Sequence, residues 1–154
     1  HLREIDPTDI NNLLHLMQLA IKQETLTDEE LASLGVIELL REEQPLGIEP
    51  TQLLQTLESV FSYAPWYESS LEFAAACLPY IYHLPSVIEL WLRSTTEIAY
   101  SMAMPAIAAR LIEIYLAIAP NNPEMLRLLS AFHDIAGNHS QAIEAAKRCY
   151  SLIK

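Results

Sequence analysis

The side chains able to do chemistry are few and poorly placed for it. The histidines His1, His15, His83, His133 and His139 show no spacing that would set two of them on one metal ion. His133 and Asp134 are neighbours, so on a helix their side chains diverge by about 100° and cannot act as a couple. His139 falls in a turn. The carboxylate pairs Glu42-Glu43 and Asp28/Glu30 could serve an acid–base reaction, but they read as helix-end charges. A Gly-rich phosphate loop, a nucleophile elbow and an HExxH helix are all missing from the sequence. No residue is therefore nominated as catalytic or metal-binding, and no cofactor is expected. Cys77 and Cys149 lie far apart on apolar helical faces and read as buried free thiols, which predicts a reducing, cytoplasmic setting.

Charge narrows the partners. The formal charge of −11 is uneven: residues 1–90 hold fifteen acids and three bases, residues 91–154 five acids and six bases. The basic footprint that nucleic acid requires is absent. The acidic half is either solvated helix surface or a docking face for a basic partner. Seven of the twelve aromatics (Phe61, Tyr63, Trp66, Tyr67, Phe73, Tyr80 and Tyr82) crowd one short stretch, as core packing or as an exposed patch for a partner. The longest charge-free run, Phe73–Ile88, contains Pro79, His83 and Pro85. It falls short of the roughly 20 residues a bilayer span needs. Ile98–Pro120 is apolar too, but Arg110 and Glu113 interrupt it. The start of the sequence carries no signal-peptide pattern. A soluble protein without a membrane partner is expected.

These side chains must be held by helices. The 154 residues include only three glycines and are dominated by Ala, Leu, Ile and Glu, with little strand-like alternation, which points to an all-α fold. Asp6-Pro7-Thr8-Asp9 opens a helix to about Lys22. Thr27 and Glu30 have capping-box spacing for a second, to about Glu43. Pro50 opens a third through Tyr63, and Trp66 or Tyr67 starts a fourth to Leu78 or, kinked at Pro79, to His83. Ser86 to Met102 and Pro105 to Ile118 follow. In the last pair Asn122 caps a helix, Gly137 ends it and Ser140 caps the next. The stripes there are Met125, Leu128, Leu129, Phe132 and Ile135, then Ala142, Ile143, Ala145, Ala146, Cys149 and Tyr150. About eight antiparallel helices result, as hairpins 8–43, 51–83, 86–118 and 123–153 in one domain spanning 1–154.

The last hairpin resembles the tetratricopeptide (TPR) family. Leu126, Leu129, Ser130, Gly137, Ala142, Ile143 and Cys149 stand at its motif positions, although Ser130 replaces the usual Gly and Cys149 the usual Ala. His133, Ala146 and Lys154 depart from the usual Tyr, aromatic and proline. One TPR period pairs Leu126 with Leu92, Arg127 with Arg93 and Ala142 with Ala108, and Pro120 stands where the preceding repeat should close. Glu89–Pro120 thus reads as a degenerate repeat in which Met104-Pro105 replaces the turn glycine and Tyr115 a small residue. The resemblance implies a right-handed αα-superhelix whose concave groove binds a protein or peptide. The residues it assigns to that groove are Arg93, Glu97 and Tyr100 from one hairpin and Glu124, Arg127, Ala131 and Asp134 from the next. Two arginines on neighbouring rungs could hold a carboxylate or acidic peptide, or pair locally with Glu97, Glu124 or Asp134.

A narrower resemblance covers most of the chain. HLREIDPTD, TLTDEELASLGVIELL and LRLLSAFHDIAGNHSQAIEAAKRCYSL look like the helical region of cyanobacterial SPINDLY-type proteins, which are similar to O-linked N-acetylglucosamine transferases. It implies a non-catalytic segment presenting protein substrates to an attached glycosyltransferase region. A stand-alone adaptor or oligomerisation module is the alternative. His1 in place of an initiator methionine and the apolar ending Tyr150, Leu152, Ile153 predict a fragment of a longer chain. The same ending would allow a homodimer through the C-terminal helix.

Overall fold

Proline sets most of the helix starts. Its missing N–H costs nothing in a first helical turn, and its fixed φ is already helical. In the computed structural model, which describes residues 7–23, 36–42, 49–62 and 68–153, five helices begin on Pro7, Pro50, Pro85, Pro105 and Pro123. In chain order the elements are α1 (Pro7–Lys22), α2 (Val36–Arg41), α3 (Pro50–Ser62), α4 (Glu68–Ile81), α5 (Pro85–Thr96), a π-helical turn (Glu97–Ser101), α6 (Pro105–Ile118), α7 (Pro123–Ile135) and α8 (His139–Ile153). Among the described residues there is no strand, so the fold is all-α as expected. The chain divides into two compact units, His1–His83 and Leu84–Lys154, between the second and third expected hairpins.

In the first unit α3 packs on α1 and α4, and α2 packs on α4. Leu14, Met17, Leu53, Leu57, Phe73, Cys77, Leu78 and Ile81 are fully buried and form its core. One polar link crosses that core: Gln18 Nε2 donates to Thr56 Oγ1 at 3.0 Å, and Thr56 passes its own proton to the Gln52 carbonyl at 2.9 Å. Pro79 does not stop α4, which runs on to Ile81. Tyr80 ties α4 to the end of α2 by donating to the Leu40 and Glu42 carbonyls. Of the aromatic cluster, Phe61 and Phe73 are core and Tyr82 is exposed, whereas Tyr63, Trp66 and Tyr67 lie outside the described residues. So do Thr27 and Glu30, the expected cap of the second helix.

The second unit is a chain of neighbours: α5 on α6, α6 on α7, α7 on α8. Trp91 anchors the first pair, with its ring fully buried and Nε1–H donating to the Leu111 carbonyl at 2.8 Å. The Tyr115 ring leans on it at 6.1 Å.

The expected helix from Ser86 to Met102 is not uniform. After Thr96 the turns widen, with Met102 N–H donating to the Glu97 carbonyl at 3.0 Å and Met104 N–H to the Ile98 carbonyl at 2.9 Å. Ala103, at φ 57°, then reverses the chain. An alanine does here what glycine does after α7, where Gly137 sits at φ 88°. The Asn122 side chain caps α7 by accepting from Met125 N–H at 3.1 Å, as its type predicts. α8 begins at His139, so Ser140 lies inside the first turn and is not its cap.

Candidate functional site

The face of α7 turned to the core is not quite the one its apolar spacing suggests. Met125, Leu126, Leu129, Phe132 and His133 are buried, while Leu128 is half-buried and Ile135 is 50% exposed. The stripe is rotated toward Leu126 and His133 because α7 is gripped by α6 on one side and α8 on the other. His133 Nε2 faces Glu113 Oε2 of α6 at 3.4 Å, and its buried Nδ1 has no partner among the described residues. Asp134, one residue on, points elsewhere and meets His139 Nδ1 at 2.9 Å. The two side chains diverge as adjacent helical positions must.

On α8 the departure is larger. Of the six residues assigned to its inner stripe only Ala142 and Ala145 are buried. Cys149 is half-buried, its thiol reaching the Pro123 carbonyl at 3.3 Å. Ala146 is exposed, Ile143 is 57% exposed and Tyr150 64%. Ser130 Oγ of α7 ties the two helices by donating to the Ala142 carbonyl at 2.7 Å. A groove of about 540 Å³ opens beside this contact. Ser130, Ala131, Ala142 and Ala146 line it together with Ile143, Tyr150 and Ile153, and Arg127, Asp134 and His139 add the charge.

The expected groove residues are therefore divided. Arg127, Ala131 and Asp134 line this groove; Arg93, Glu97, Tyr100 and Glu124 lie outside it, all exposed. Glu97 and Tyr100 belong to the π-helical turn, and the Tyr100 ring meets Phe132 of α7 edge-on at 6.0 Å. Asp134 is held by His139, whereas Arg127 makes no ion pair with any described residue. Ile143, Ala146, Tyr150 and Ile153 were missed as groove residues because a 3–4 spacing reports apolarity and not which apolar side chains find cover.

Among the described residues no three His, Cys, Asp or Glu side chains gather as a metal site, and no helix is long and apolar enough to cross a membrane. Burial pushes the Cys77 thiol well above its ordinary range, the opposite of what a nucleophile needs. Burial also raises the Tyr80 and Tyr115 phenols. The groove can offer apolar contact, close backbone approach and one uncommitted guanidinium. No family model, curated protein or solved structure matches the chain.

Proposed function

We propose that this chain is a non-catalytic protein-interaction scaffold of stacked helical hairpins, TPR-like in its second unit. The observation that carries this reading is the α7–α8 groove, where Ile143, Tyr150 and Ile153 are each more than half exposed beside Arg127. Soluble folds rarely leave large apolar side chains contiguous and uncovered unless something docks there. Arg93 and Arg127, one repeat period apart, serve as forks for a carboxylate on the bound protein. Glu97, Tyr100, Glu124 and Asp134 flank them as specificity contacts in a right-handed superhelix. The resemblance to SPINDLY-type helical regions supports a further role: holding protein substrates for a glycosyltransferase region of a longer polypeptide. Two free cysteines support a reducing, cytoplasmic setting.

Partner capture tests the reading. The chain is immobilised, captured proteins are identified by crosslinking and mass spectrometry, and their affinity is measured by calorimetry. The double variant Arg93→Ala/Arg127→Ala should lose the captured protein while its melting temperature barely moves, since both arginines are exposed. Unchanged affinity ends the assignment.

A further inference from the structure

No further inference is drawn: the strongest candidate, the groove between α7 and α8 where Ile143, Tyr150 and Ile153 stand exposed, is an unpartnered apolar face, and nothing in the structure shows what covers it.

Discussion

Replacing Ala103 with glycine should stabilise the protein, and replacing Gly137 with alanine should destabilise it by a similar amount. Both residues reverse the chain after a helix, at φ 57° and φ 88°. A Cβ in the left-handed region costs roughly 1–2 kcal/mol, so Ala103 carries a strain that glycine would not. Glycine loses about 0.4–1 kcal/mol more than alanine on ordering its unfolded backbone, which offsets part of the gain. The balance for Ala103→Gly is about 0.5–1 kcal/mol of added stability. Gly137→Ala runs the same ledger backwards. A Cβ built at Gly137 meets nothing within 4 Å, so no clash adds to the backbone cost. Each change shifts the melting temperature by about 1–4 °C in a chain of this length. Urea titrations followed by circular dichroism give the free energies, with unchanged slopes showing that only stability moved. Should Ala103→Gly prove neutral or destabilising, the left-handed reversal after the π-helical turn is not where the strain lies.

Alkaline pH offers a second test. Burial raises the Cys77 thiol, so the folded chain keeps a proton that the unfolded chain releases above about pH 9, and stability falls as pH rises. The slope from this one group rises toward a limit of about 1.4 kcal/mol per pH unit as the unfolded thiol deprotonates, and Cys77→Ala should flatten that limb of the stability profile measured between pH 8 and 10. A thiol reagent should titrate the half-buried Cys149 in the native protein and reach Cys77 only on unfolding; equal rates would contradict the core placement. Trp91→Phe removes the Nε1–H bond to the Leu111 carbonyl and leaves a small void, a loss of about 1–3 kcal/mol from the second unit by urea unfolding. Tyr80→Phe should cost about 0.5–1.5 kcal/mol by deleting the donor to Leu40 and Glu42, with an unmoved urea midpoint as the contrary result.

The helix boundaries of the second unit were largely legible because local chemistry decides them. Pro105 and Pro123 mark two starts, Asn122 caps, and Gly137 supplies the left-handed stop, each acting within one turn of chain. The end of the helix after Pro85 was not legible. A π-helical turn and an alanine at positive φ are held by hydrogen bonds from Met102 and Met104, and neither leaves a mark in residue type. The groove residues divided on the same line. Arg127, Ala131 and Asp134 share one side of α7 by helical geometry alone, whereas Ile143 and Tyr150 carry the apolar signature of buried residues and are exposed.

By itself the sequence determined that this protein is helical and where several of its helices begin and stop. Those properties depend on side chains within a turn or two of one another. Which apolar faces are covered was decided only by tertiary structure. Ala109 and Ile143 are both apolar residues of amphipathic helices, and either could lie against a neighbouring helix. One is 1% exposed between α5 and α7, the other 57% exposed on α8, which among the described residues packs mainly on α7. Burial belongs to the assembly of helices and not to any one of them.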